Sequence, residues 1–451
     1  MQAVSFHPLL MELIVLQRFN LYMKRIIAIM SAVLMSFSLI AQERTLRIDY
    51  IFSGTDKTQE ISVDEMSSFE GWAGRRVNLD EVPVRGNGQI TMTDKTSGKV
   101  IYRQSFSTLF QEWQTTEEAT RVRKSFENVF LLPMPSSKAE VKVELYGFKG
   151  GISAEITHDV DPTDILIRQI DPQPAPHKYI LESGSPEQCI DVAVVAEGYT
   201  EAEMELFYKD ARAAVDAILA HAPFDVYKDR FNFVAVALPS EDSGVSVPGE
   251  GLWKKTALGS HFNTFYMDRY LTTLRLRNMH DKLCGIPYEH IIILANTDTY
   301  GGGGIYNSYT LTTAHHPSFE PVVVHEFGHS FGALADEYYY DDQYVEYYYP
   351  DVEPWEQNIT TLFDFESKWD DMLPKRVSIP TEPVDGNIWK SFHEGTDPHS
   401  VIGVYEGAGY QSKGVYRPFP DCRMKTNAAE SFCPVCQRAI ARVIEFNTEE
   451  K

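Results

Sequence analysis

Residues 322–337, VVVHEFGHSFGALADE, contain the pattern HExxH at His325, Glu326 and His329. In a helix, residues four apart lie on one face, so the two imidazoles can bind one zinc ion. Glu326 then lies beside the metal, where it can act as general base toward a metal-activated water. The alternative is a core helix followed by an acidic loop, but burying these polar side chains without a shared partner would be costly. The stretch therefore predicts a hydrolytic site on a helix.

The residues after this helix indicate where a third metal ligand comes from. Gly332 can adopt the left-handed conformation that ends a helix, so the chain turns back and returns Asp336 and Glu337 toward the histidines. We expect Asp336 to be the third ligand, because a short carboxylate after a turn can adjust to the metal. Glu337 is the first alternative. The second is a more distant glutamate, as in thermolysin-like enzymes: Glu346, Glu353 or Glu356.

Composition indicates a globular protein that binds neither nucleic acid nor anionic membranes. The length of 451 residues allows two or three domains, and 43% hydrophobic residues are enough for sizeable cores. The net charge of −23 argues against both polyanionic partners. It says little about the substrate, because a solvated acidic surface also explains it.

The N-terminus predicts export. From Met23 the chain has the sequence MKRIIAIMSAVLMSFSLIAQERT, in which the basic pair Lys24 and Arg25 precedes a mostly apolar run that ends at Ala41. This pattern is typical of a secretory signal peptide and is too short for a stable membrane span. We expect residues 1–41 to be removed, with Met23 as the true start. The mature protein is then secreted, periplasmic or associated with the cell surface.

Residues 42–150 predict an all-β sandwich that either positions substrate or covers the catalytic unit. The evidence is partial alternation of apolar residues, with turn signals between several of the runs: 45–52, 89–93, 99–106 and 139–146. Prolines recur between residues 151 and 188, which predicts an extended, semi-rigid linker. The zinc peptidase domain is then expected at 189–451.

The second domain predicts a mixed α/β layer. Residues 190–196, 231–238 and 290–296 are apolar runs expected to form strands, and the capping box of Thr200 and Glu203 predicts a helix over 201–220. Glycines at 301–304 precede an alternating stretch at 305–313. An edge strand there could hold an extended peptide by main-chain hydrogen bonds. A flexible hairpin loop is the alternative.

Five cysteines are present, and three of them form the cluster C-x10-C-x2-C. In an exported protein we expect a disulfide within this cluster or from it to Cys284, although an odd count leaves one thiol free. A second zinc site is the alternative, but the sequence shows no obvious fourth ligand. The cysteines are Cys189, Cys284, Cys422, Cys433 and Cys436.

The residues HEFGHSFG at 325–332, continuing to ADEY at 335–338, resemble the bacterial immunoglobulin A peptidase family. These are secreted zinc endopeptidases related to the metzincins. The segment EGYT at 197–200 and the β-rich region ahead of the peptidase unit are also similar to that family. The resemblance implies an α+β fold, in which an N-terminal β-sandwich precedes a metzincin-like α/β zinc peptidase domain.

The resemblance also implies a methionine turn beneath the metal, for which Met424 is the candidate. The sequence departs from the broader metzincin pattern in one respect. That pattern places the third ligand at Ala335, whereas Asp336 comes one residue later. An oxyanion donor besides zinc is needed, and we predict Tyr416, with Tyr405 and Tyr410 as alternatives.

We expect a secreted endopeptidase with one catalytic Zn²⁺, a protein or peptide substrate, and no partnership with nucleic acid or stable membrane insertion. The acidic and aromatic segment 335–353 could bind Ca²⁺, although it lacks EF-hand spacing and an ordinary loop is the alternative. His315 and His316 are candidates for substrate-side positions. Two other functions stay open: a secreted binding or adhesion protein whose peptidase-like domain is inactive or holds a structural zinc, and a zinc hydrolase of non-peptide bonds. Glu326 argues against the first.

Overall fold

A computed structural model describes residues 44–340, 347–381 and 401–450. The predicted signal peptide at 1–41 and the alternative ligand Glu346 lie outside these residues. The strands are β1 (Arg44–Gly54), β2 (Gln59–Glu70), β3 (Gly88–Asp94), β4 (Val100–Phe106), β5 (Lys124–Pro133), β6 (Ala139–Tyr146), β7 (Ile152–Val160), β8 (Arg168–Gln169), β9 (His177–Glu182), β10 (Ile190–Glu197), β11 (Phe231–Val236), β12 (His290–Ala295), β13 (Gly302–Ile305), β14 (Tyr309–Thr313), β15 (Tyr339–Tyr340), β16 (Tyr405–Ala408) and β17 (Tyr410–Arg417). The α-helices are α1 (Leu109–Trp113), α2 (Met204–Leu219), α3 (Leu276–Lys282), α4 (Phe319–Ser330) and α5 (Pro434–Thr448).

The N-terminal part consists of two four-stranded sheets, with strand orders β5-β1-β2-β8 and β4-β3-β6-β7. Strand β6 buries every second residue, as its alternating sequence predicts. The sheets pack against each other, since the rings of Phe52 on β1 and Phe106 on β4 have centroids 6.2 Å apart. The N-terminal region is therefore β-rich, in agreement with the sequence.

Three strands lie within residues 151–188, where the sequence predicts an extended linker. β7 pairs with β6, β8 with β2, and β9 with β11. β7 is the edge strand of its sheet, and its sequence ISAEITHDV alternates apolar and polar residues as a strand does, with Ala154 and Ile156 packed against the core, so the linker prediction is wrong here. The prolines precede β9, which pairs as an edge strand of the next sheet.

The second part is built on a six-stranded sheet of order β13-β14-β12-β10-β11-β9. Its four central strands are parallel, and β13 and β9 pair antiparallel at the two edges. All residues of β10 are buried. Ile190 and Val192 face a core shared with helices α2, α4 and α5, whereas Ala193 and Val195 join the core of the N-terminal sheets. Covering on both faces explains the uninterrupted apolar run.

Helix α2 starts as the capping box predicts. The main-chain N–H of Thr200 donates to Glu203 at 2.8 Å, and a short 3₁₀ turn leads into the α-helix. The helix lies on the same face of the sheet as α4 and α5. Each helix in the described part of the chain is too short or too polar to cross a membrane.

Candidate active site

Helix α4 holds His325, Glu326 and His329 against the six-stranded sheet. Most of its other side chains are buried, including Val324 and Phe327, which lie in the core shared with α2 and α5. Only the face with the HExxH residues is partly open to a cleft. The apolar positions of the helix therefore fix which way the three polar side chains point.

The hydrogen bonds of the two imidazoles leave their Nε2 atoms free to bind a metal. Nδ1 of His325 lies 2.9 Å from the carbonyl oxygen of Arg423, and Nδ1 of His329 lies 2.6 Å from that of Leu334. A carbonyl oxygen only accepts, so each Nδ1 carries the proton and each neutral ring presents a lone pair at Nε2.

Asp336 brings a third lone pair to the same point. Its Oδ1 lies 3.0 Å from Nε2 of His325 and 3.2 Å from Nε2 of His329, and the two nitrogens are 3.0 Å apart. With both ring N–H groups directed to carbonyls, no described residue donates a hydrogen bond to this buried oxygen. Ligand atoms on one tetrahedral zinc ion are about 3.3 Å apart. The three atoms therefore fit a shared divalent cation.

The electrostatics of the three residues favour positive charge at this point. Burial disfavours the imidazolium form of His329, but the carboxylate of Asp336 outweighs it and raises the pKa of His329 to about 9. Burial likewise opposes ionisation of Asp336, yet the two histidines hold its pKa well below the usual range. The site stabilises a cation, whether that cation is a proton or a metal ion.

The turn after α4 differs in detail from the prediction. The left-handed residue is Ala333, with φ of 55°, and not Gly332. Gly332 is needed for a different reason: a Cβ there would lie 2.7 Å from the carbonyl oxygen of Gly328. The N–H groups of Ala333 and Leu334 then donate to the carbonyls of His329 and Gly328, at 3.2 and 3.1 Å. This close turn directs the chain back toward the histidines.

Strand β13 lies directly against the catalytic face of α4. A Cβ at Gly302 would lie 2.9 Å from Oε1 of Glu326, and one at Gly304 would lie 2.3 Å from the main-chain oxygen of Glu326. The glycines therefore allow the edge strand to approach the helix. The edge strand is the glycine run itself, at Gly302–Ile305, whereas the alternating stretch ends in an inner strand at Tyr309–Thr313, and Tyr270 bridges the outer side of β13 at Gly302. Burial raises the pKa of Glu326, which makes its carboxylate a stronger base.

Tyr410 is the tyrosine that the fold brings to the metal-binding group. Its hydroxyl donates to Oδ2 of Asp336, and the N–H of Gly409 donates to the Asp336 carbonyl at 2.9 Å. Tyr410 has a φ of 67°, a conformation rare for a bulky residue and common at functional sites. Tyr416, which the sequence predicts as the donor, does not line this cleft. Tyr405 donates its hydroxyl to a main-chain carbonyl at 3.0 Å.

Met424 packs against the helix between the two histidines. A Cβ at Gly328 would lie 2.7 Å from the Met424 sulfur, so glycine allows this contact. Met424 is fully buried, and the carbonyl of the preceding residue, Arg423, accepts the hydrogen bond from His325. The thioether thus lies behind the metal-binding face, where the sequence resemblance places a methionine turn.

The N-terminal part contributes to the cleft, as one of the two sequence interpretations of that domain allows, but through residues that the sequence does not single out. The cleft has a volume of about 650 Å³, and Arg85, Asn87 and Glu112 from the N-terminal part lie along it. The Tyr270 hydroxyl donates to Glu112 at 2.6 Å. Burial raises the pKa of Glu112 to about 7. No sequence signal marks Glu112, because it is far from the motif and stands in no recognisable spacing.

Comparison with known proteins agrees with this architecture. A family model described as IgA Peptidase M64 matches residues 179–397 and 390–444, and one described as Peptidase M64 N-terminus matches residues 36–156. The chain belongs to the M64 peptidase family. No curated protein matches it. A solved structure described as a beta-galactosidase from Bacteroides fragilis shares 10% identity over 55% of this chain, with a TM-score of 0.12, and this chain spans 33% of it. That likeness is too weak to carry an argument.

As an M64 peptidase the protein is a metallopeptidase. The alternative third ligands that the sequence offers have other partners and are not grouped with His325 and His329. Glu337 is fully buried beside Cys436, at 3.1 Å. Glu353 accepts from Thr361, and Glu356 accepts from the Tyr348 hydroxyl. Within the described ranges, one of the two groups able to hold a metal includes His325, Glu326 and His329.

Two further predictions for this M64 peptidase, one about His315 and His316 and one about a disulfide, differ from what the structure shows. His315 bonds Asp210 at 2.8 Å and His316 packs on Tyr300, and neither lines the cleft. All five cysteines lie in described residues and are free thiols, so the expected disulfide is absent.

The calcium prediction for segment 335–353 has no support in the described residues. Neither of the two groups that could hold a metal there uses residues 338–340 or 347–353, and residues 341–346 lie outside the described part of the chain.

Proposed function

We propose that this M64 peptidase is an exported zinc endopeptidase with a metzincin-like catalytic domain. The observation that carries the proposal is the convergence of three lone pairs, from Nε2 of His325, Nε2 of His329 and Oδ1 of Asp336, within 3.2 Å of one another. Imidazole and carboxylate ligands in a three-residue set are typical of catalytic zinc, which keeps one position open. The signal-peptide pattern at 1–41 supports export.

In this proposal each polar side chain has a separate task. Zinc, when bound, would polarise the scissile carbonyl and lower the pKa of a coordinated water. Glu326 accepts the proton from the attacking water at its carboxylate and delivers it to the leaving amine. We infer that Tyr410, and not the predicted Tyr416, donates to the oxyanion, since its hydroxyl lies beside the metal-binding group; the proton that it donates to Asp336 in the free site would turn to the oxyanion when substrate is bound.

A polypeptide substrate is supported by the shape of the surroundings. Strand β13 is a sheet edge beside Glu326, and the main-chain groups that the Tyr270 bridge at Gly302 leaves open can pair with an extended peptide. The cleft continues onto the N-terminal part at Glu112 of helix α1 and at Arg85, which precedes β3. We propose that the N-terminal β-sandwich completes the substrate cleft in addition to covering the catalytic unit.

The test combines metal analysis with cleavage of a broad peptide library. We expect the wild type to bind zinc and to cleave peptides, and Glu326→Gln to keep its zinc while kcat/KM falls by about 10²–10⁴-fold. Asp336→Ala should lose zinc affinity. Glu320→Gln is the matched control, because Glu320 is an exposed carboxylate on the same helix, and it should behave as wild type.

Two outcomes would overturn the proposal. One is a wild type that binds zinc and cleaves nothing in the library, which would leave the binding or adhesion function in place. The other is a Glu326→Gln variant with full activity, because the second carboxylate beside the two histidine nitrogens, that of Asp336, is assigned as a metal ligand in this proposal and not as the base.

A further inference from the structure

A second group of metal-competent side chains lies in the core, separate from the HExxH residues. One ligand atom from each of Glu337, Cys422, Cys433 and Cys436 lies within 4.8 Å of the others. All four residues are buried, with Glu337, Cys422 and Cys436 fully inaccessible to solvent. The group is therefore closed, with no side open to substrate.

The sulfur atoms have the spacing of metal ligands and not that of a disulfide. Sγ of Cys422 lies 3.8 Å from Sγ of Cys436, whereas a disulfide requires about 2.05 Å. Two thiolates bound to one tetrahedral zinc ion at about 2.3 Å lie about 3.8 Å apart. Sγ of Cys436 lies 3.1 Å from Oε1 of Glu337. The same geometry gives a sulfur–oxygen spacing of about 3.5 Å, so a small outward shift of the carboxylate brings it to the ligand position.

Glu337 supplies the fourth ligand that the cysteine spacing lacks. Oε1 of this carboxylate accepts from the side-chain amide of Asn358 at 3.0 Å. Its Oε2 is buried and receives no hydrogen bond from the described residues. A carboxylate in the core with an unpartnered oxygen is costly unless a cation compensates it.

The local backbone is arranged around the sulfur atoms. The main-chain N–H of Cys433 donates to Sγ of Cys422 at 3.1 Å, and donors of this kind orient the thiolate ligands of metal sites. Cys433 is the N-cap of α5 and Cys436 lies in its first turn, so the helix itself sets the relative position of these two ligands.

We propose that Glu337, Cys422, Cys433 and Cys436 bind a second zinc ion with a structural role. Four protein ligands with no open position are typical of structural zinc, and soft thiolates select zinc over calcium or magnesium. This ion is distinct from the catalytic ion, and the proposal stands on the geometry of these four residues alone.

The second ion would fix two parts of the active site. Glu337 follows Asp336 directly, and its N–H donates to the carbonyl of Met424 at 2.8 Å. A zinc ion that joins Glu337 to the cysteines therefore ties the third catalytic ligand to the methionine-bearing turn and to α5. The ion would hold these three segments together through metal–ligand bonds, as a disulfide holds two segments together through a sulfur–sulfur bond.

The test uses cobalt in place of zinc, because thiolate ligands give Co²⁺ an intense near-ultraviolet charge-transfer absorption that imidazole and carboxylate do not. In reduced full-length protein we expect this absorption in the wild type and in His325→Ala, which disables the catalytic site. It should be lost in Cys433→Ser/Cys436→Ser. Serine is a good N-cap, so position 433 keeps its helix start. Cys284→Ser, which removes a buried thiol outside the group, is the matched control and should keep the absorption.

Zinc analysis gives a second readout. The wild type should hold about two zinc ions per chain, and His325→Ala and the double cysteine variant about one each. A folded His325→Ala protein without thiolate–cobalt absorption would overturn the proposal even if the double variant does not fold, and so would a native disulfide among the three cysteines found by mass spectrometry. Loss of peptide cleavage alone would count only against the endopeptidase function.

Discussion

Replacement of Gly304 with alanine should push strand β13 away from helix α4. A Cβ at this position would lie 2.3 Å from the main-chain oxygen of Glu326 and 2.8 Å from Cβ of His329, whereas ordinary contact starts at 3.4 Å. The shortfall is about 1 Å, and neither atom is the end of a flexible side chain, so backbone must move. Such overpacking costs about 1–3 kcal/mol of unfolding free energy. A displacement of about 1 Å near the reacting groups lowers kcat/KM by about 100-fold.

Urea unfolding and peptide cleavage measure the two effects of Gly304→Ala separately. Gly151→Ala is the control for the substitution itself, because a Cβ there meets nothing within 4 Å. Gly303→Ala tests the opposite face of β13, where the nearest atom, at 2.9 Å, belongs to the Tyr270 ring. If Gly304→Ala stays within about 0.5 kcal/mol of wild type and keeps its kcat/KM, the close packing of β13 on α4 does not position the site.

Three further predictions concern groups around the cleft and the core. Tyr410→Phe should lower kcat/KM by about 10²–10³-fold with unchanged zinc content, and Tyr416→Phe should match wild type in the same assay; equal losses would contradict the assignment. The pKa of Glu112 in the folded protein is about 7, above the ordinary value of 4.5, so the unfolding free energy of the wild type should fall as pH rises from about 4.5 to 7. Urea unfolding of the metal-free proteins should show that Glu112→Gln is more stable than wild type by at most about 3 kcal/mol above pH 7 and equally stable at low pH. Arg47→Ala should lower the unfolding free energy measured in urea by about 3–5 kcal/mol, because it leaves the buried carboxylate of Asp49 without the guanidinium that lies 2.7 Å away in the wild type. A loss under about 1 kcal/mol would show that this ion pair does not stabilise the fold.

Local patterns predict local structure well in this chain. The apolar run at 190–196 became the buried strand β10, the capping box at Thr200 preceded α2, and the glycines at 301–304 gave an edge strand. Each depends on residues that are close in sequence. The linker expected at 151–188 was wrong for two reasons: residues 152–160 alternate apolar and polar side chains as a strand does, whereas β8 and β9 have little alternation of their own and are held by partner strands.

The cysteines also show what sequence spacing cannot predict. Their spacing suggests that three of them act together, and the structure brings them together in one buried group. The spacing in the sequence does not show whether these cysteines form a disulfide, because that depends on distances between turns and a helix. Nor does it show Glu337, which comes from a segment far earlier in the chain.

The sequence by itself determined the HExxH group, since His325 and His329 are one helical turn apart wherever the helix lies. Only the tertiary structure decided the rest of the site. It brought the Tyr410 hydroxyl to Asp336, left Tyr416 outside the residues that line the cleft, and brought Glu112 to the cleft. The physical reason is that these contacts arise from packing between distant segments. Side-chain periodicity reports which face of a segment is buried, but not which other segment it meets.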